Sequence, residues 1–115
     1  MRTWRKFRIS REGRRGFLLA LPVFEDEEHP EDAARMNRFY RTASEDLYTA
    51  ALDAVGGDAR RIFYRCDVRV DEEEDGTRVT LALSLSRSGE RTRRKTIAHF
   101  WREGVIVSRE ASPIL

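Results

Sequence analysis

The chain has 115 residues, 40% of them hydrophobic and 37% charged, with 22 Lys and Arg against 20 Asp and Glu. That length holds one hydrophobic core and excludes two, and no apolar run reaches the roughly 20 residues needed to span a bilayer as a helix. The net charge of +2 hides strong segregation: residues 1–16 carry seven basic side chains against Glu12, and residues 25–32 carry six acids. Residues 71–75 are all acidic, and residues 87–95 carry five basic side chains against Glu90. Blocks of alternating sign predict pairing between neighbouring elements rather than the uniform basic field of a nucleic-acid binder.

In chain order, Trp4 to Ile9 reads as a strand with Arg5, Phe7 and Ile9 on one face. Residues 11–15 follow as a turn in which Gly13 is free to take positive φ. Gly16 to Leu21 is a nearly continuous apolar strand. Pro22 has no N–H for a ladder, so it belongs at a strand end or on an edge.

The acidic stretch then leads into a long amphipathic helix, His29 to Val55. Pro30 suits its first turn, and Glu31 and Asp32 sit at the positive end of its dipole. Met36, Tyr40, Ala43, Leu47, Ala51 and Ala54 form its apolar stripe, widened by Phe39, Ala50 and Leu52. Gly56-Gly57 stops it.

The second half alternates throughout. Ile62, Tyr64, Cys66, Val68 and Val70 form one strand face, and residues 71–76 a hairpin loop. Val79, Leu81, Leu83 and Leu85 form the next. A turn at Ser88-Gly89 leads to a strand from Arg91 to Trp101, and Arg102-Glu-Gly104 turns the chain into a last strand, Val105 to Ser108. Residues 109–115 show no periodicity.

The predicted fold is α+β: an antiparallel sheet of about five or six strands with one long helix across one face, in the order strand–strand–helix–strand–strand–strand–strand. The predicted core is Phe17, Leu19, Leu21, Met36, Tyr40, Leu47, Ala51, Ile62, Tyr64, Cys66, Val68, Val79, Leu81, Leu83, Leu85 and Ile97.

With Cys66 as the sole cysteine no internal disulfide forms, which agrees with a reducing compartment. Its phase on the strand predicts a buried small hydrophobe, not a reactive thiol. The N-terminus has the positive start of a signal peptide. The apolar block from Phe17 to Phe24 lies too far in, is broken by Pro22 and lacks a small-residue cleavage site. The expected location is therefore cytoplasmic.

Catalysis or metal binding would most naturally use a histidine. His29, beside Glu27 and Glu28, lacks the ligand spacing of a closed metal site and reads as part of the helix N-cap. His99, in phase with Ile97 and Trp101, reads as a hydrogen-bonded, half-buried sheet residue without a nucleophile to serve. The acidic run 71–76 lacks the alternation of a calcium loop and reads as a solvated hairpin. No glycine-rich phosphate loop or nucleophile elbow occurs. The expectation is a non-enzymatic protein with no cofactor and no metal.

Two binding readings follow. Trp4, Phe63, Phe100 and Trp101 cannot all lie under one helix, so exposed aromatics predict a protein- or ligand-binding surface, with a homodimer as one form of it. The alternative is nucleic acid, held by Arg91, Arg93, Arg94 and Lys95 with Arg87 before them. Arg65 and Arg69 would lie across the sheet, and the aromatics would supply stacking rings. Asp67, Glu90 and the acidic runs oppose phosphate, which ranks this second. The predicted binding residues are Trp4, Phe63, Arg65, Arg91, Arg93, Phe100 and Trp101.

Leu21-Pro-Val-Phe24, the acidic gap, and Met36-Asn-Arg-Phe-Tyr40 resemble a pattern of a strand-end proline followed by a hydrophobic-Asn-x-aromatic helix. Trp101-Arg-Glu-Gly104-Val-Ile-Val-Ser108 resembles the late aromatic–glycine hairpin of the same pattern. Together, over residues 17–108, they are similar to the first half of the extracytoplasmic sensor domain of lysozyme-sensing anti-sigma factors, a unit also found beside some bacterial polysaccharide deacetylases. A membrane anchor and a second subdomain, which that pattern carries, are not expected from these 115 residues. Arg91-Thr-Arg-Arg-Lys95 also stands where the family is glycine-rich. The resemblance implies this α+β fold, a ligand-binding heritage and a structural helix role for Asn37.

Overall fold

A computed structural model describes residues 6–14, 17–53, 62–87 and 91–112. The elements run β1 (Phe7–Arg14), β2 (Phe17–Phe24), α1 (Pro30–Asp53), β3 (Ile62–Glu73), β4 (Gly76–Arg87), β5 (Arg93–Arg102) and β6 (Val105–Ala111). They form an α+β fold, with the helix laid across a six-stranded sheet whose spatial order is the chain order. Among the described residues no helix is long and apolar enough to cross a membrane. The Gly56-Gly57 helix stop and the Ser88-Gly89 turn lie outside the described residues.

The sheet is not purely antiparallel. β2 and β3 pair in parallel over Phe17–Leu19 and Tyr64–Cys66, while every other pair is antiparallel. The cause is the crossover: the chain leaves β2, travels back along α1 and re-enters the sheet at the end where β2 began. The short overlap also explains Pro22. It pairs with Ile9 of β1 beyond the last β2–β3 partner, so no β3 backbone waits there for its missing N–H.

Strands are longer and turns tighter than the sequence predicts. Gly13 pairs with Leu18 inside β1 rather than turning the chain. Residues 71–73 belong to β3, which leaves Glu74-Asp75 as the whole turn. β6 continues to Ala111, where Ser112 N–H donates to the Thr96 carbonyl and Ser112 Oγ accepts from Thr96 N–H, each at 2.9 Å. Glu103 and Gly104 both have positive φ, 51° and 74°. That is the two-residue turn whose twist matches a hairpin, and it places glycine where a side chain would meet Asp32 at 2.4 Å.

The helix buries Ala33, Met36, Tyr40, Ser44, Leu47 and Ala51. Their spacings of three and four are the predicted stripe, with Ser44 taking the central place expected of Ala43. Below it lie Leu19, Leu21, Cys66, Val79, Leu81, Leu83, Leu85 and Ile97. Val68 is only partly buried, and the side chains of Phe17, Ile62 and Tyr64 lie outside the described residues. Asn37 is a structural residue. Its amide accepts from Phe24 N–H at 2.8 Å and donates to the Phe24 carbonyl at 3.0 Å, tying α1 to the end of β2. At the helix start, Asp26 Oδ1 accepts the Glu28 and His29 N–H groups, so His29 lies in a capped entry turn.

Candidate functional site

α1 approaches the sheet backbone most closely at β2 and only sparsely at β3 and β4. Over β5 and β6 the gap must be filled by side chains. Along the first half of the helix aromatic rings fill it: Phe39 and Tyr40 meet His99 and Trp101, with ring centroids 4.7–5.9 Å apart. Along the second half the helix turns small residues, Ala43 and Ala50, toward the same gap. The result is a cleft of about 540 Å³, within the size range of small-molecule sites.

Three elements line it. Phe39, Thr42, Ala43, Asp46, Leu47 and Ala50 come from α1 at offsets of three, four, seven, eight and eleven, one continuous helical face. Lys95, Ile97 and His99 are alternate residues of β5. Ile106 and Arg109 come from β6. A spacing of three in a strand would put them on opposite faces. A bulge restores them to one face: Phe100 pairs with Ser108 and Trp101 with Ile106, leaving Val107 extra.

His99 is the unusual wall residue. It is 3% exposed, its ring stands edge-on to Phe39 at 4.7 Å, and its Nδ1 is buried without a hydrogen-bond partner. A hydrogen-bonded, half-buried residue was expected, so burial and satisfaction both differ from the sequence reading. A buried polar atom left unpaired costs about 1–3 kcal/mol and is retained chiefly where it serves a purpose. Ser44 Oγ is a second such atom.

Burial, and secondarily the positive charge of Arg109, pushes the His99 pKa below its usual 6.5. The unfolded chain therefore takes up this proton before the folded one. The contribution of His99 to stability is whole above about pH 6.5 and is lost as the pH falls toward the lower folded value. Urea unfolding of wild type and His99→Gln at about pH 7.5 and about pH 5 checks the sign. The stability of the wild type relative to the variant should fall on acidification; a difference independent of pH would show that His99 is not held neutral by the fold.

Among the described residues, Arg65, Arg91, Arg93, Phe100 and Trp101 do not share one surface. Trp101, named among the binding residues, is 2% exposed, and its Nε1–H donates to the Tyr40 hydroxyl. Phe100 points to the opposite face and is 7% exposed. Its cover is two guanidiniums, Arg78 at 5.3 Å and Arg102 at 5.9 Å from the ring centroid. Each guanidinium is held by the acidic hairpin, Arg78 to Glu73 at 2.9 Å and Arg102 to Asp75 at 2.8 Å. Both faces of β5 thus found a cover for their aromatics, one from the helix and one from charged stems.

Arg65 lies on the outer face, paired to Asp67 at 2.7 Å. Arg93 falls in phase with Lys95 and His99 on the helix face, and Arg91 precedes the strand. The basic run is split between faces. Trp4 and the side chain of Phe63 lie outside the described residues.

Among the described residues no three His, Cys, Asp or Glu side chains gather as metal ligands. Cys66 is fully buried, and that burial, with Asp67 beside it, pushes its thiol up to about 12. It packs as a small hydrophobe. Burial likewise raises the Tyr40 phenol, against the opposing effect of its bond from Trp101.

The cleft residues Phe39, Ala43, Asp46, Ala50, Ile106 and Arg109 went unrecognised as a group in the sequence. The available signal was the run of small residues flanking the helix stripe at Ala43 and Ala50. Comparison with known proteins finds no matching family model, no matching curated protein and no matching solved structure.

Proposed function

We propose that the chain is a non-enzymatic ligand-binding module whose site is the cleft between the second half of α1 and the β5–β6 hairpin. The observation that carries this reading is the cleft itself: apolar walls and one buried, unpartnered ring nitrogen at His99. Binding sites of this size combine an apolar lining with a few placed polar groups. The dispersal of Arg65, Arg91 and Arg93, and the carboxylate already on Arg65, support a small ligand over nucleic acid. The Val107 bulge supports it over self-pairing through β6, because a bulge blunts a sheet edge.

Titration with N-phenylnaphthylamine, a dye that brightens in apolar pockets, tests the reading. Saturable one-site binding is expected. Ala50 is exposed on the helix, so Ala50→Trp should fill the cleft, abolish binding and leave thermal stability nearly unchanged. Absence of saturable binding, or equal binding by the filled variant, would remove the cleft as the site.

A further inference from the structure

We infer that the ligand of this cleft is an amphiphilic carboxylate, its apolar body against the helix wall and its acid group at the β5–β6 rim. The inference deepens the ligand-binding reading and rests on it.

On the outer face Arg65, Arg69, Arg78 and Arg102 each hold a carboxylate at 2.7–3.0 Å. At the cleft no such pair forms among the described residues, nor does one at Arg8, Arg11, Arg93 or Arg94 elsewhere in the sheet. Lys95 and Arg109 stand on the sheet wall, and neither is in a salt bridge among the described residues. The lone acid of the lining, Asp46, is on the helix wall and is not in a salt bridge with them either. Two cations against one acid leave the rim positive. An arginine presents a planar fork of donors that matches a carboxylate, and beside an apolar wall that match is less weakened by water than on an open surface. Phe39, Leu47 and Ile97 meanwhile supply surface that only an apolar body would fill.

Competition against bound N-phenylnaphthylamine with octanoate, octanol and octylamine separates head group from chain. Octanoate should bind roughly tenfold tighter than octanol, the scale of one partly exposed charge-assisted hydrogen bond. Octylamine should bind weakest. The double variant Lys95→Gln, Arg109→Gln should bring octanoate down to the affinity of octanol and leave octanol itself unchanged, which also shows that the variant is folded. Added salt should weaken octanoate alone. Equal affinity for octanoate and octanol, or preference for octylamine, would overturn the carboxylate assignment while leaving the cleft as a binding site. If the dye itself does not bind, both readings fall together.

Discussion

Replacing Tyr40 by alanine is expected to cost about 3–5 kcal/mol, the usual range for truncating a buried aromatic, and so to leave a small domain close to unfolding. Tyr40 is fully buried at the centre of the aromatic group that holds α1 over β5. Its ring centroid lies 5.0 Å from Phe39 edge-on, 5.8 Å from Trp101, 5.9 Å from His99 and 6.4 Å from Phe24. No second helix covers the sheet among the described residues, so neighbouring side chains have little to collapse onto when the ring is removed. Tyr40→Phe isolates the polar part. It keeps the ring but strands the Trp101 indole N–H, which now donates to the hydroxyl. A buried donor without an acceptor costs about 1–3 kcal/mol. Urea unfolding followed by far-ultraviolet circular dichroism should rank wild type above Tyr40→Phe, and that variant above Tyr40→Ala. A phenylalanine variant as stable as wild type would mean that the indole finds another acceptor and that packing alone holds the helix.

That centre was half legible in the sequence. Met36, Tyr40, Leu47 and Ala51 recur at helical spacing, and Leu81, Leu83 and Leu85 alternate, so two periodicities named most of the core and its single helix cover. What periodicity cannot report is anything that depends on how far the two layers stand apart. Trp101 shares a strand face with Ile97 and His99, but whether the helix reaches it depends on the tilt of α1. Phe100 faces away from the helix, and its burial comes from Arg78 and Arg102 folding over it, an arrangement set by the acidic turn rather than by any hydrophobic pattern. The acidic run therefore looked like a solvated loop when three of its members hold arginines: Asp71 on Arg69, Glu73 on Arg78 and Asp75 on Arg102.

The cleft was hidden for two further reasons. A one-residue bulge at Val107 puts Ile106 and Arg109 on one wall, whereas strict alternation separates them. The parallel joint between β2 and β3 then sets where the chain re-enters the sheet after the helix, and that joint is a long-range pairing without local signature. The shape of the cleft thus follows from a bulge, a crossover and two alanines. None of these carries a motif in the sequence.

Gly76→Ala is the smallest substitution expected to have a large effect. Gly76 is buried and opens β4 directly against β5. A Cβ built there would lie 2.3 Å from the Trp101 carbonyl oxygen and 2.7 Å and 3.0 Å from the Phe100 ring. The ring could rotate aside, but the carbonyl belongs to the backbone of the β4–β5 ladder, where Thr77 is the partner of Trp101. Relief therefore requires the ladder to open at its end, moving Trp101 and loosening its bond to Tyr40. Overpacking of this kind costs about 1–3 kcal/mol and more where backbone must shift, so the upper part of that range is expected. A double-mutant cycle with Phe100→Ala separates the two clashes. Removing the ring should recover only part of the loss, because the carbonyl contact remains. Full recovery would place the whole penalty on the ring and show that the β5 backbone yields freely. It would also mean that the wall holding His99 and Lys95 is less rigid than a preformed cleft requires.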